Sequence, residues 1–215
     1  MTWPLFVTAK SVPVKKLNRT FLLVHNYEHD SDPDWQLFRD RTIPKKMADI
    51  KATTVPIDIG GDDTLSESNN VFAGWTPDEI EEFIVERESL FKKLRMDNNW
   101  IIIDDKGFET ETCLVCENYE PDEDDEDGDE EDDEEKEENE IPAYRMVRIR
   151  WLNAWSMYVN LDIGNMGFED WMDDEAGIQE DGTYKQAGWI EGSDNDEPEK
   201  REEALKKAKE EGVID

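Results

Sequence analysis

The only two histidines of the chain, His25 and His29, lie in one short acidic segment. They are followed within a few residues by Asp30, Asp32 and Asp34. Imidazole nitrogens and carboxylate oxygens are common ligands of divalent transition metals, so His25, His29 and Asp30 are candidate metal ligands or catalytic groups. The alternative is a solvated polar loop between two secondary-structure elements. The loose spacing of these side chains favours the loop, because nothing in the sequence fixes their geometry.

Cys113 and Cys116 form a C-x-x-C motif, which in other settings is a redox pair or half of a zinc site. The residues between them, Leu114 and Val115, are typical of a β-strand, and positions three apart on a strand point to opposite faces. The chain has no further cysteine to complete a zinc site. We therefore expect two buried structural thiols, and the absence of a disulfide framework favours a reducing compartment.

Asp104 and Asp105 follow an isoleucine-rich segment, where carboxylates can serve in acid–base or metal chemistry. Lys106 and Gly107 come next, and the segment Asp105-Lys106-Gly107 favours a turn. Gly60 and Gly61 precede a polar loop rather than a helix, so they do not form a nucleotide-binding motif. The chain also has no G-x-S-x-G nucleophile motif. The sequence therefore predicts no cofactor.

The densest group of aromatic and amide side chains lies between residues 155 and 171. Trp and Tyr dominate the binding energy of many protein interfaces, so this group is a candidate interaction surface. The alternative, which the pattern favours, is core packing, with Asn165 ending a helix in a left-handed conformation. The members of the group are Trp155, Tyr158, Asn160, Asn165, Phe168 and Trp171.

The acidic tract, residues 122–140, is the most distinctive feature of the sequence. It contains 16 acidic residues and no apolar residue. Like charges at this density keep a chain extended and solvated, so we expect a disordered loop over residues 120–142. The tract either binds basic protein surfaces in a salt-dependent manner or only keeps the protein soluble. Its first acidic residues are Asp122, Glu123, Asp124, Asp125, Glu126, Asp127, Asp129, Glu130, Glu131, Asp132, Asp133, Glu134 and Glu135.

Composition narrows the classes of function. The 215 residues include 57 acidic and 24 basic side chains, which gives a net charge of −33. Outside the tract the apolar fraction, counting glycine, is about 45%, the usual globular value. The negative charge disfavours nucleic acids and anionic lipids and favours basic proteins. No apolar run is long enough to span a membrane, and residues 1–16 lack the pattern of a secretory signal, so we expect a cytoplasmic or nuclear protein.

Hydrophobic patterning predicts a single α/β domain, with a mixed sheet of about five strands flanked by helices. A long acidic loop interrupts the sheet, and a charged helix ends the chain. We divide the chain into an N-terminal extension (1–19), the domain (20–190) and a charged, solvated helical tail (191–215). Strands are predicted at 21–24, 53–59, 100–103, 112–117 and 144–151, and helices at 32–43, 77–95, 152–163, 168–172 and 196–211. Thr76 and Glu79 predict a capping box at the start of the helix at 77–95. The strand at 144–151 is predicted to alternate, with Met146 on one face and Val147 and Ile149 on the other, and the strands at 100–103 and 112–117 are predicted to pair as a hairpin across a turn at 105–107.

One sequence pattern is similar to a known family. It runs through Trp155-Ser156, Asn160-Leu161, the block Asn165-Met166-Gly167-Phe168-Glu169-Asp170, and Glu180-Asp181-Gly182. It resembles domain-of-unknown-function family 6924 of actinobacteria and fungi. The resemblance covers about residues 20–188 and implies the fold, but no activity, ligand or catalytic residue. Gly167 stands where the family usually has Asp, at a position typical of a helix N-cap, and residues 25–29 replace a shorter segment of the family.

Our leading hypothesis from the sequence is a non-enzymatic interaction module that binds a basic protein partner. The alternative is an enzyme or a metal-dependent ligand-binding protein that uses the loop from His25 to His29. A small-molecule sensor is a third possibility. The tract either acts on other molecules or folds back on Arg145, Arg148 and Arg150, which follow it closely. The sequence does not predict the oligomeric state.

Overall fold

The computed structural model describes residues 3–33, 41, 43, 45, 46, 49, 53–96, 98–119, 143–189 and 197–215. Most of the predicted helix 32–43, and the whole acidic tract with its predicted disorder, lie outside these residues. The strands are β1 (Leu5–Val7), β2 (Ser11–Pro13), β3 (Thr64–Ser66), β4 (Asn99–Ile103), β5 (Thr112–Asn118) and β6 (Tyr144–Arg150). The helices are α1 (Val14–Val24), α2 (Pro77–Val85), α3 (Glu88–Leu94), α4 (Asp105–Thr110), α5 (Trp151–Asp162), a short 3-10 helix (Phe168–Trp171) and α6 (Pro198–Glu210). None of the helices among these residues is long and apolar enough to cross a membrane.

The main sheet is mixed and has four strands in the order β1-β4-β5-β6. β1 pairs in parallel with β4, whereas β4, β5 and β6 form an antiparallel meander. β2 and β3 form a separate antiparallel pair. The predicted α/β class and the predicted antiparallel pairing of β4 with β5 are confirmed, although helix α4 rather than a turn connects these two strands and the main sheet has four strands rather than about five.

Helices cover both faces of the main sheet. Side chains alternate between the faces, so Val147 and Ile149 of β6 lie in the core under α1 and α5, whereas Met146 packs with α2 and α3. The alternation predicted for β6 is confirmed. Burial on both faces also explains the nearly continuous apolar sequence of β4, Trp100 to Ile103, because neither face of that strand meets solvent.

Residues 21–24 belong to α1, and the prediction of a strand there is wrong. Leu17, Phe21 and Val24 are buried and follow the i, i+4, i+7 spacing of one helix face. The apolar run consists of this face together with the half-buried Leu22 and Leu23 beside it. A run of four apolar residues is equally compatible with a strand and with a wide helix face, and here the helix extends N-terminally through polar residues.

Three further predictions need correction. Residues 77–95 form two helices, because the Arg87 N–H donates to the Ile84 carbonyl at 3.0 Å in a tight i→i−3 bond that ends α2. Residues 53–59 form no strand: Pro56 has no N–H to donate, and the Ile57 N–H donates to the Asn18 side chain at 2.8 Å. Asp105 begins helix α4 rather than a turn. The capping box predicted at the start of α2 is present.

The two ends of the chain belong to the folded unit. Trp3 and Leu5 are fully buried, and β1 is a strand of the main sheet, so the first 19 residues are not an extension outside the domain. The predicted C-terminal helix is α6, but it is not a solvated tail. It packs on α1, Ala208 and Ile214 are buried, and the buried Asn18 donates to the Val213 carbonyl at 3.0 Å.

Candidate functional site

The acidic tract is inserted into the hairpin of β5 and β6. Asn118 and Tyr144 are the last pair of the ladder, and beyond them the Tyr119 N–H donates to the Ala143 carbonyl at 3.0 Å. Residues 120–142 therefore leave and return at neighbouring positions of a firmly paired hairpin. We call this position, marked by Tyr119 and Ala143, the open end of the hairpin. The antiparallel order of β5 and β6 thus fixes where the tract is attached.

Arg145 organises the charges at the open end. Its guanidinium donates from Nη2 to the Glu117 carboxylate at 2.6 Å and from Nη1 to the Glu169 carboxylate. The same guanidinium lies 4.3 Å from the centroid of the Tyr119 ring and 4.7 Å from that of the Phe168 ring. The Arg145 side chain is only 12% exposed. It is therefore a structural cation, held by two carboxylates and two aromatic rings.

The two carboxylates that hold Arg145 are perturbed in opposite directions. Burial raises the pKa of Glu117, and the hydrogen bond from Arg145 offsets this only in part. Glu169 is 57% exposed, so burial opposes its ionisation less, and the contact with Arg145 leaves its pKa below the usual value. Burial lowers the pKa of Arg145, but its bonds to Glu169 and Glu117 outweigh that effect and raise the pKa above its usual value.

Helix α2 adds further carboxylates to the open end. The Tyr144 hydroxyl donates to the Asp78 carboxylate at 2.6 Å, which ties the start of β6 to the first turn of α2. Burial, then Asp78 and more weakly Glu81, raise the pKa of Tyr144. Burial and the repulsion of Glu82 and Asp78 also raise the pKa of Glu81. Negative charge is therefore dense on this side of the open end.

Asp104 is a structural residue at the opposite end of the hairpin. Its carboxylate caps α4 by accepting the Gly107 N–H at 2.7 Å, and it accepts from both terminal nitrogens of Arg148, at 2.6 Å and 3.0 Å. Arg148 is 13% exposed. A Cβ on Gly107 would lie 2.5 Å from the Thr112 carbonyl oxygen, so this tight corner requires glycine. Asp104, which the sequence suggested for acid–base chemistry, thus has a structural role: it links the start of α4 to Arg148 of β6.

A polar groove of about 800 Å³ lies beside this corner, and we call this end of the hairpin the groove end. Its cations have intramolecular partners: Lys106 pairs with Asp181 at 2.8 Å, and Lys185 pairs with Asp173 at 2.9 Å. The bond from Lys106 holds the pKa of Asp181 well below its usual range. The lining residues are Lys106, Thr110, Thr112, Arg148, Gln179, Glu180, Asp181, Thr183, Tyr184, Lys185 and Gln186.

The two histidines have different surroundings. His25 Nδ1 lies 2.8 Å from the Asp32 carboxylate, and Asp30 is 3.8 Å from its other nitrogen. The His29 ring stacks on Trp155 with centroids 4.6 Å apart. Among the described residues, no group of three or more His, Cys, Asp or Glu side chains could hold a metal ion. Asp34, a neighbouring carboxylate in the sequence, lies outside those residues.

The cysteines occupy the middle of β5 and are confirmed as free and buried. Cys113 faces the core under α1 and α5, and Cys116 faces the core under α2 and α3, as the strand reading predicted. Burial raises the pKa of Cys113 to about 12 and that of Cys116 well above its usual value. Both thiols therefore stay protonated and unreactive near neutral pH.

The aromatic group divides between core and surface. Tyr158, Phe168 and Trp171 are buried, which agrees with core packing, whereas Trp155 is half-buried under His29. Asn165 is exposed, and its side chain donates to Asn160 at 2.6 Å. The left-handed residue after α5 is Gly164, with φ of +64°, and not Asn165.

Gly167 precedes the 3-10 helix and is its N-cap, as its sequence position predicted. Its N–H donates to the Asp170 carboxylate at 2.9 Å. This accounts for the tolerance of glycine at the position, because the capping interaction uses the backbone of residue 167 rather than its side chain.

Trp189 is an exposed aromatic residue that lies outside the predicted aromatic group. Its side chain is 54% exposed, although its Nε1–H donates to the Asp170 carbonyl at 3.1 Å. The signal in the sequence was a Gly188-Trp189 pair after the aromatic group, in a region without recognisable periodicity. Exposure of this side chain depends on how residues 172–188 return to the 3-10 helix, which a local pattern does not reveal.

The chain matches the model of one known family. The model of the family described as Domain of unknown function (DUF6924) matches residues 58–187, which is more than half of the chain. The chain therefore belongs to this family, as its resemblance indicated. The match begins after the histidine loop and ends just before Trp189. No curated protein and no solved structure matches the chain.

Proposed function

We propose that this member of the DUF6924 family is a non-enzymatic interaction module that binds a basic protein partner through its acidic tract. The observation that carries the proposal is the electrostatic setting of the tract. It is attached at an open end that carries Asp78, Glu81, Glu117 and Glu169. The acidic residues of the tract next to fixed carboxylates give one continuous negative region, and such a region attracts basic surfaces and speeds their association.

Two of the three arginines that follow the tract, Arg145 and Arg148, favour action on other molecules over folding back. Arg145 is held by Glu117 and Glu169, and Arg148 is held by Asp104. Both side chains are almost completely buried. To dock on them the tract would have to displace carboxylates that already accept the guanidinium hydrogen bonds in a well-fitted geometry.

Residues outside the tract keep the same sign of charge. The described residues carry 34 acidic and 21 basic side chains, a net charge of −13. The tract thus extends a domain that is itself negative, and a basic partner is attracted by both. A cytoplasmic or nuclear location belongs to the same proposal, and it is supported by the two free buried cysteines, which suit a reducing compartment.

The proposal is tested with a charge-neutralised tract of unchanged length. The 16 acidic residues of 122–140 are replaced by the corresponding amides, and the two proteins are compared in pull-downs from lysate at about 0.15 M salt with identification by mass spectrometry. We expect basic proteins to be enriched by the natural chain and lost from the neutralised one. A control elsewhere on the surface changes four exposed glutamates in and directly after α6 to glutamine: Glu202, Glu203, Glu210 and Glu211.

Two outcomes oppose the proposal. If the same partners appear with both proteins, the tract acts only as a solubilising loop. If the α6 control loses partners as strongly as the neutralised tract does, total charge rather than the tract determines binding. In a second measurement, the affinity of a captured basic protein should fall steeply as salt is raised, and an affinity independent of salt would contradict a polyanionic mode of binding.

A further inference from the structure

Trp189 is an exposed indole that is already fixed in position. Its Nε1–H donates to the Asp170 carbonyl at 3.1 Å, and its ring packs against Trp171 with centroids 5.4 Å apart and planes inclined by 46°. More than half of the side chain nevertheless faces solvent. A rigid, exposed aromatic ring loses little further entropy when a partner covers it, which is the property of aromatic anchors at protein interfaces.

The same 3-10 helix shows what such a ring binds. Its first two residues, Phe168 and Glu169, supply a ring and a carboxylate to the Arg145 guanidinium. Its last two residues, Asp170 and Trp171, support Trp189. Asp170 contacts Trp189 through its main-chain carbonyl, and its carboxylate accepts the Gly167 N–H at 2.9 Å. Because Trp171 is buried, the groups that face solvent at this end of the helix are the Trp189 ring and the exposed Asp170 side chain.

The charge around Trp189 selects the chemistry of the partner. Asp170 is exposed, and so are Asp174 and Glu175, which lie three and four residues beyond the end of the 3-10 helix. Within the described ranges, the cations that lie over aromatic rings do not include any over Trp189. An anionic or purely apolar partner would meet repulsion or unpaired carboxylates here, whereas a cationic side chain would meet both a ring face and negative charge.

We infer that Trp189 and Asp170 form a docking site for an arginine side chain of the basic partner. The inference rests on the proposed function and deepens it, because Glu169 at the open end and Asp170 are consecutive residues, so one partner can contact both the tract and this site. Arginine fits better than lysine, because its planar guanidinium stacks on an indole while it still donates to a carboxylate.

The test separates this site from the tract. The probe is a short, fluorescently labelled peptide of alternating arginine and glycine, and its affinity is measured by anisotropy at about 0.15 M salt. The starting protein carries the charge-neutralised tract, so that the remaining affinity reports the folded surface. We expect Trp189→Leu to weaken binding about fivefold. The matched control, Ile178→Ala, removes another side chain that is more than half exposed and should change nothing.

A second readout does not depend on affinity. The indole N–H signal that disappears in the Trp189→Leu variant identifies Trp189 in a ¹⁵N-correlated NMR spectrum, and we expect it to move when the peptide is added to the unmodified chain. An unmoved signal together with an unchanged affinity of the variant overturns the docking site. A lysine–glycine peptide that binds as tightly as the arginine peptide overturns the preference for arginine.

The two proposals fail in different measurements. If neutralising the tract leaves the affinity of the arginine peptide for the whole chain unchanged, the tract is not the binding element, whereas the effect of Trp189→Leu still reports the docking site. If the tract matters but Trp189→Leu has no effect and its indole signal stays in place, the basic partner is bound without this site. Trp189→Leu should melt close to the temperature of its parent protein, with the natural tract and with the neutralised one, because more than half of the side chain that it replaces faces solvent.

Discussion

The two ends of the β5–β6 hairpin use the same kind of residue for opposite purposes. At the groove end Arg148 is chelated by the single carboxylate of Asp104, which also caps α4. At the open end Arg145 is shared between Glu117 and Glu169. The paired strands extend over seven residues, so these ends are about 20 Å apart. The groove end closes the fold around one internal ion pair, whereas the open end keeps excess negative charge beside the tract.

The difference separates carboxylates that are used within the fold from carboxylates that face solvent. Asp104 caps the start of α4 and pairs with the nearly buried Arg148, so both of its oxygens are bonded within the fold. Glu169 is more than half exposed and gives only part of its charge to Arg145. In the proposed function, binding at the open end therefore depends on carboxylates that the fold does not need, whereas stability at the groove end depends on one that it does.

The largest expected effect concerns the strand between the two ends. Cys113 and Cys116 are buried in β5 with raised pKa values, so a thiol reagent should label them at least about a thousandfold more slowly in the native protein than in urea. Labelling is followed by absorbance or mass. Fast labelling of the native protein would contradict a closed hairpin. Since labelling reports hairpin opening, a destabilising change at the groove end should accelerate it more than one at the open end.

The next effect is expected from Asp104. Asp104→Ala removes a helix cap and leaves Arg148 without its carboxylate, and we expect a loss of about 2–4 kcal/mol in the free energy of unfolding. Urea unfolding measures the loss. Asp104→Asn keeps a capping side chain and should cost less, and the double change Asp104→Asn with Arg148→Met should recover part of the loss, because neither charge is then left unpaired. An unchanged urea midpoint for Asp104→Ala would show that the pair does not hold the corner.

Arg145 is expected to show a smaller effect that depends on pH. Arg145→Leu leaves Glu117 half-buried without its cation, which should lower the free energy of unfolding at pH 7 by about 1–3 kcal/mol. The pKa of Glu117 is already raised by burial, and the substitution raises it further. A raised carboxyl pKa gives stability at low pH that is lost as pH rises, so the variant should approach the natural protein in stability as pH falls from 7 toward 4. A constant difference across this range would exclude Glu117 as the cause.

Much of the fold could be predicted because several elements had only one consistent periodicity. The alternation of Val147 and Ile149 against Met146 identified β6 and both of its faces, and Thr76 with Glu79 identified the start of α2. The apolar run at residues 21–24 had no such signature, because it satisfied strand and helix equally. The burial of β1 and α6 depends on contacts with distant elements, and no local pattern encodes such contacts.

The candidate site was predictable only in part. The tract could be placed between two strands, because a short continuous apolar run precedes it and a clearly alternating segment follows it. The partners of Arg145 were not predictable, since Glu117 and Glu169 are 28 and 24 residues away and lie next to it only after the sheet and the 3-10 helix have formed. Cys113 and Cys116 were assigned correctly, because the two residues between them fixed the strand and so the opposite directions of the side chains.

The smallest expected effect is also the most direct comparison of the two carboxylates at the open end. Glu117 and Glu169 contact the same guanidinium, but Glu117 is the more deeply buried. Burial raises the pKa of Glu117, whereas the bond to Arg145 lowers that of Glu169, so an NMR titration of their side-chain carbons should show Glu169 ionising first as pH rises. The two pKa shifts affect stability with opposite signs. The lowered pKa of Glu169 stabilises the fold above the usual pKa of a glutamate, and this contribution is lost as pH falls. The raised pKa of Glu117 stabilises the fold at low pH, and that contribution is lost as pH rises. Tyr144→Phe is the control, because it leaves both contacts with Arg145 intact. If the two carboxylates titrate together, Arg145 screens them equally, and the exposed carboxylate cannot be the one that the fold leaves available to a partner.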